Sequence, residues 1–248
     1  MYLECPADLH VHTCLSPCAS DEMIPINILN MADLLGTKIL GICDHNSAGN
    51  VEAMLKLAQD YDILVIPGIE VQSVEEVHLL CLFENIDQVL ELQEYVYGAL
   101  PSIKNNPQYF GHQWLVDERG NILGEEDRML VTSISLTVDE VAAKVHELQG
   151  IIIPAHVDRK HFSIIGQLGF ITDNLSIDAI EFSRAISPED FKSNFKHLLN
   201  YPLITSSDAH SLQEMVYQKT CFLLKELSFK EILMALRGLE GRKVLIRD

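Results

Sequence analysis

The chain predicts an α/β fold, a closed or nearly closed β/α barrel, and three observations carry that expectation. Short apolar runs alternate with helical patterns from end to end, which implies βαβ units and a parallel sheet. The 248 residues suit one large domain, residues 1–248, better than two ordinary ones. Most groups suited to metal or acid–base chemistry stand just past a predicted strand, where a parallel barrel collects them.

Strands are expected at Ala7–His12, Lys38–Cys43, Ile63–Ile69, Val77–Phe83, Ile151–Pro154, Ile177–Phe182, Leu203–Thr205 and Thr220–Leu224. Between them, apolar residues recur at helical spacing over Ile24–Leu35, Asn50–Tyr61, Ile86–Tyr97, Thr137–Gln149, Pro188–Leu199 and Ser228–Leu239. Two helix starts are visible: Thr137 with Glu140 reads as a capping box, and Pro188 follows Ser187 at a first helical position. Residues 99–130 break the rhythm with Pro101, Pro107, Gly111, Gly120 and Gly124. Within them, 113–117 and 121–124 flank Glu-Arg-Gly as a hairpin, so this insertion is expected to leave the barrel near its mouth.

Hydrophobic residues make up 48% of the chain, enough for a full core. Lys plus Arg number 18 and Asp plus Glu 36, a net charge of −18. Tight duplex binding rests on many Lys/Arg–phosphate contacts, so no duplex nucleic acid is expected as a partner, and no anionic membrane surface. No apolar run approaches the ~20 residues of a spanning helix, and the first residues lack a signal-peptide pattern. Six cysteines outside CxxC pairs fit a reduced, cytoplasmic protein.

The chemistry-bearing residues cluster by position. His10 and His12, in Asp8-Leu-His-Val-His, are two apart on a strand and so share a face. Asp44-His45-Asn46 follows the second strand, Glu70 ends the third, His156 follows Ile151–Ala155, and Asp208 and His210 follow Leu203–Thr205. His78 is the exception, near the start of its apolar run. Either its strand runs against the others or it begins elsewhere. His146 and His197 fall inside helices and His112 in the insertion, outside the pattern.

Asp8-x-His10-x-His12, Asp44-His45-Asn46, Gly68-Ile69-Glu70, the isolated His78, Ala155-His156 and Ser207-Asp208-Ala209-His210 resemble, in order and spacing, the motifs of the polymerase-and-histidinol-phosphatase (PHP) family. The resemblance implies a distorted seven-stranded (β/α)7 barrel, with the 99–130 insertion, and two to three divalent ions at its C-terminal rim. His10, His12 and Asp208 would hold one ion, with Glu70 bridging to a second completed by His78 and His156. His45 and His210 would hold a third with an acidic residue. Where the family often reads Ser-Asp-Gly, this chain reads Ser16-Pro-Cys-Ala-Ser-Asp-Glu-Met, so Asp21 is the choice and Glu22 the runner-up.

Imidazole with carboxylate suits Zn, Mn or Fe rather than Ca. Two ions bridged by Glu70 would hold a hydroxide for attack on phosphorus, with Glu70 and Asp208 the central carboxylates. Three divalent ions against Asp21, Glu70 and Asp208 leave the loaded site net positive, so an acidic protein can still take a phosphate. The expected reaction is hydrolysis of a small phosphomonoester, such as a nucleotide or phosphorylated metabolite. Exonuclease or oligonucleotide phosphatase activity is the alternative, and a non-catalytic metal-binding module the alternative of another class. Arg159 and Arg184 are expected to clamp phosphate oxygens, Asp8 and Asp44 to orient imidazoles, and Cys14, Cys18 and Cys43 to pack as small residues, with a ligand role for Cys18 the minor alternative.

Overall fold

The computed structural model describes residues 2–217 and 219–247. Its strands are β1 Leu3–Val11, β2 Ile39–Ile42, β3 Leu64–Gln72, β4 His78–Leu82, β5 Trp114–Val116, β6 Ile122–Glu125, β7 Ile151–Pro154, β8 Ile180–Glu181, β9 Leu203–Ile204, β10 Thr220–Leu224 and β11 Lys243–Ile246. Its helices are α1 Pro25–Leu34, α2 Val51–Ala58, α3 Ile86–Ala99, α4 Pro107–Phe110, α5 Val138–Glu147, α6 Ile164–Leu168, α7 Pro188–Asn194 and α8 Phe229–Leu236. The starts of α5 and α7 are those the sequence announces. Thr137 and Glu140 form a reciprocal capping box, and the Ser187 side chain accepts from the Asp190 N–H with Pro188 at the first helical position.

One curled sheet runs β11-β10-β1-β2-β3-β4-β7. The ring goes on from β7 to β8 through Val157 N–H to Glu181 O and Asp178 N–H to Ile152 O, at 2.8 and 3.0 Å. β8 pairs in parallel with β9, and beyond β9 Ala209 bridges back to Val11 of β1. The (β/α)7 barrel is therefore β1-β2-β3-β4-β7-β8-β9, with β10 and β11 added outside it on β1. Alternate residues of β4 divide between two apolar clusters: Leu79 and Cys81 pack with helix residues such as Val89 and Val141, whereas Leu80 and Leu82 join Ile66, Ile153 and Ile204. That split is the period-two signature of a sheet covered on both faces.

Two expectations need correction. The sheet is not wholly parallel: β4 is antiparallel to β3 and to β7, and β10 to β1 and β11. A short link between β3 and β4 permits only a hairpin, because a parallel return needs a crossover of a dozen residues or more. The reversal explains His78, since the start of an antiparallel strand lies at the same rim as its neighbours' ends. β11 was not anticipated. Its residues are exposed or half-buried, which leaves no run of core positions to read.

The insertion forms α4 and the β5–β6 hairpin, close to the expected limits. It is seated on the loops after β1 and β2. Asn50 donates to the Trp114 carbonyl and accepts from the Val116 N–H, each at 3.0 Å. Gly111, at φ 95°, presses so close to Pro17 that a Cβ there would collide with the Pro17 carbonyl oxygen.

Candidate metal centre

β1 delivers His10 within, and His12 just past, a shift in its register on β2 between Asp8 and Val11. Gly41 of β2 makes room for that irregularity, because any Cβ there would strike the Leu9 backbone. Both imidazoles are fully buried. Their Nε2 atoms lie 3.1 Å apart, and each comes within 3.3–3.4 Å of Asp208 Oδ1. Glu70, at the end region of β3, sits in the middle. Its Oε1 is 2.8 Å from His78 Nδ1, 3.3 Å from His10 Nε2 and 3.6 Å from His156 Nε2. Its Oε2 is 2.9 Å from His45 Nδ1 and 3.5 Å from His12 Nε2.

Three overlapping groups could each hold an ion: His10–His12–Asp208, His45–Glu70–His78 and His12–His45–His210. Bonds of about 2.0–2.1 Å to a tetrahedral zinc-like ion would set donors about 3.4 Å apart, close to the spacings above. One buried atom supports that fit: Glu70 Oε2, though 2.9 Å from His45 Nδ1, makes no well-formed hydrogen bond, a costly state unless something else binds there.

Neighbouring residues fix the rings. Glu181 Oε2 lies 3.1 Å from His10 Nδ1, so that nitrogen carries the hydrogen and Nε2 is left to face the cluster. The same oxygen accepts the His156 N–H at 3.2 Å. Asp44 accepts three hydrogen bonds at 2.7 Å, from Thr13 N–H, Thr13 Oγ1 and Ser16 Oγ. Because Ser16 donates to Asp44, its oxygen accepts from His12 Nδ1, 2.9 Å away, and again Nε2 faces inward. Asp8 accepts the Ser207 N–H at 2.9 Å, which ties it to the turn carrying Asp208.

Charge follows from this packing. Burial opposes ionisation of Glu70, yet His78, His10 and His45 outweigh it and hold the carboxyl well below the usual range. Asp208 is likewise lowered: burial again resists, but His10 and His12 prevail. Burial, with His210 and His45 beside it, pushes His12 well below its ordinary value and keeps it neutral, the form that binds metal. Three residues here also hold left-handed backbone: Asn46 at φ 49°, His156 at φ 34° and Asp208 at φ 52°. Each such position costs of order 1–3 kcal/mol and persists only where surrounding contacts impose it.

The cluster forms the floor of an open pocket of about 430 Å³, whose wall is Arg159, Lys160, His161 and Phe162. Of the residues expected from sequence, His10, His12, His45, Glu70, His78, His156, Asp208 and His210 come together. Arg159 reaches the rim, its Nη1 2.7 Å from Asp208 Oδ2. Arg184 does not reach it. Ser183 is tethered by two 2.6 Å bonds to Asp158, and Arg184 beyond it donates to the Tyr217 carbonyl and is influenced by Asp8. Asp21 also departs. It is exposed and takes the Trp114 indole N–H at 3.0 Å, because a tight turn at Ser16–Ala19 carries it to the outer side of the loop. Cys18 is not a packing residue: it is exposed on the loop after β1, and against partial burial His210 and His45 draw its thiol below the ordinary value.

Glu181, His161 and Phe162 were not anticipated as site residues. For Glu181 a signal existed, an acid inside the apolar run Ile177–Phe182. Of the histidines outside the pattern, His112 pairs with Glu125 and stacks on Trp114, and His146 pairs with Asp178.

The sequence profile of the PHP domain matches residues 8–157. The uncharacterized protein YqxK of Bacillus subtilis is 26% identical over 96% of this chain and 63% of its own length. The lesion-specific endonuclease PfuEndoQ of Pyrococcus furiosus superposes with a TM-score of 0.76 at 24% identity, over 98% of this chain and 58% of that one. Endonuclease Q in complex with a 27-mer duplex substrate bearing an abasic lesion gives 0.72 at 22%, over 97% of this chain and 58% of that one. The chain thus spans less than two thirds of the length of each of these relatives. The duplex complex overturns the exclusion of duplex DNA drawn from net charge: a protein of this fold takes one at its active site. Net charge sums a whole surface, whereas a strand meets only the local field, which bound ions and nearby cations control. No helix among the described residues is long and apolar enough to cross a membrane. With its profile, its barrel and its rim of convergent histidines and carboxylates, the chain belongs to the PHP domain family.

Proposed function

We propose that this chain hydrolyses a phosphoester with the help of two to three divalent ions, and that the ester is a phosphodiester within a nucleic-acid strand. The observation that carries this reading is that one opening joins the histidine–carboxylate floor to a basic and aromatic wall, Arg159 to Phe162. His10, His12 and Asp208 would hold one ion. Glu70, with His45, His78 and His156 around it, would share its two oxygens between sites, and Zn, Mn or Fe suits the donors. When bound, such ions polarise phosphoryl oxygens and activate water.

The remaining roles belong to the chain's own side chains. Glu181 and Ser16 keep the donor nitrogens of His10 and His12 facing inward. Asp208 divides its oxygens, one toward the histidines and one toward Arg159, so that an incoming phosphate meets the guanidinium at the rim. Phe162 stacks on His78 with ring centroids 4.9 Å apart and remains 42% exposed. It offers a base or sugar an apolar platform, and stacking of that kind contributes about 1–3 kcal/mol per base. Residues 1–248 act here as one catalytic domain. The six free cysteines accord with a cytoplasmic setting.

The compact pocket and the charge of −18 favour the competing substrate, a small phosphomonoester. The two are separated by incubating metal-loaded chain with an end-labelled duplex carrying an abasic site, its undamaged counterpart, the single strand and a panel of nucleoside monophosphates. Metal-dependent strand cleavage is the expected result. Turnover of the monophosphates with every strand left intact would replace the diester reading by the monoester one, and no hydrolysis of either would remove the enzymatic reading.

A further inference from the structure

We infer that His161 is the general acid of the reaction proposed above, protonating the sugar oxygen as it leaves phosphorus. The inference rests on that reading of the site and names the residue that completes the bond-breaking step.

The loop that carries His161 is fastened on several sides. The Arg159 N–H bonds His156 O at 2.9 Å, the Ser163 hydroxyl donates to Arg159 O at 2.6 Å, and the His78 N–H bonds Phe162 O at 2.9 Å. Gly166 of α6 packs so closely that a Cβ there would collide with the Lys160 carbonyl oxygen. Phe162 completes the turn in left-handed backbone, at φ 59°. These ties hold residues 159–162 against β4 and α6, with His161 on the wall of the pocket whose floor includes Glu70 and Asp208.

Elimination among the groups that face this pocket singles out His161. Arg159 is paired with Asp208, Phe162 is stacked on His78, and the floor's own histidines are the candidate ion ligands. His161 is exposed and makes no hydrogen bond, ion pair or ring contact among the described residues, so its ring is free to meet a substrate. Lys160 is the other uncommitted cation, but an imidazole gives up its proton near neutral pH far more readily than an ammonium.

Water attacking from the floor forms a new P–O bond, and in-line displacement breaks the ester P–O bond on the opposite side, toward the wall. The electron pair of the broken bond goes to the sugar oxygen, which takes the proton of the His161 imidazolium and departs as an alcohol. The attacking water gives a proton to solvent and the imidazole regains one there. The sum is diester plus water to monoester plus alcohol.

A comparison of leaving groups tests the assignment. Bis(4-nitrophenyl) phosphate releases a nitrophenolate, which needs no proton, whereas an abasic duplex releases a sugar alkoxide, which does. His161→Asn should lower kcat on the duplex about 10²–10⁴-fold, change kcat on the aryl diester less than about threefold, and leave KM and bound metal as in wild type. Added imidazole should restore part of the duplex cleavage to His161→Ala. Equal losses on both substrates, an undiminished rate on the duplex, or a selective loss in Lys160→Ala and none in His161→Asn would overturn the inference and leave the phosphoesterase reading standing. A wild type that spares every strand but hydrolyses nucleoside monophosphates removes the diester reading alone, and the same comparison is then read between 4-nitrophenyl phosphate and a nucleoside monophosphate. Hydrolysis of no ester by the wild type would overturn both.

Discussion

Replacing Glu181 by Gln tests how far the metal centre depends on a residue that does not face the ions. The change keeps size and one carbonyl oxygen but removes the charge opposite His10 Nδ1, 3.1 Å away. That charge is the second of the carboxylates that push His10 well above its ordinary value against the pull of burial, after Asp208 and before Glu70. Partners of ligating imidazoles are worth about 10–100-fold in metal affinity. At 1.36 kcal/mol per tenfold this is about 1.4–2.7 kcal/mol. Glu181→Ala should do more, because His10 Nδ1 and the His156 N–H both lose their acceptor in a buried place. Each unsatisfied donor costs about 1–3 kcal/mol, so urea unfolding of the alanine variant should show a loss of roughly 2–6 kcal/mol. The assay is calorimetric titration of stripped protein with zinc, beside urea curves for both variants. Affinity in Glu181→Gln within twofold of wild type, with the fold intact, would refute the claim that Glu181 holds His10 in its ligating orientation.

Other outcomes follow from the same geometry. Asp208→Ala should lose one bound ion and activity together, whereas Arg159→Ala should keep its metal content and raise KM, as metal analysis and steady-state kinetics would show. Gly111→Ala puts a Cβ against the Pro17 carbonyl at a φ of 95°, and should cost of order 1–3 kcal/mol in urea unfolding while loosening the seat of the insertion. Glu231 is held at about 2 by the Arg242 guanidinium, which grips it through two bonds of 2.9 and 2.6 Å. A depressed carboxyl stabilises the fold above its unfolded value of about 4.3 and loses that contribution as pH falls through the folded value. The melting temperature of Glu231→Gln should therefore fall less steeply than that of wild type between pH of about 4.5 and 2, and parallel curves would remove the pair from the acid response.

The left-handed residues link fold to chemistry. Asn46, His156 and Asp208 each follow a barrel strand, where the chain must turn while delivering a side chain inward. Asn46 shows what pins such a turn: its amide donates to the carbonyls of Leu130 and Thr132, and its oxygen accepts the Gln72 N–H. Strain at these positions is sustained by the surrounding hydrogen bonds rather than by the local sequence.

Local pattern alone determined much of this protein. The placement of β7 and β10, the capped starts of α5 and α7, the hairpin in the insertion and eight of the clustered site residues could be read from periodicity, caps and spacing. Those signals arise within a few residues, so no tertiary information is needed to see them. What the tertiary structure decided were relations between distant segments. The direction of β4 depends on the neighbours it meets, and the paths of Arg184 and Asp21 on a tether to Asp158 and on an indole some ninety residues away in the chain. Glu181 acquires its role only when the barrel closes β8 toward β1. A side chain's chemistry is set by what lies within a few ångströms of it, and for these residues those neighbours come from the far ends of the chain.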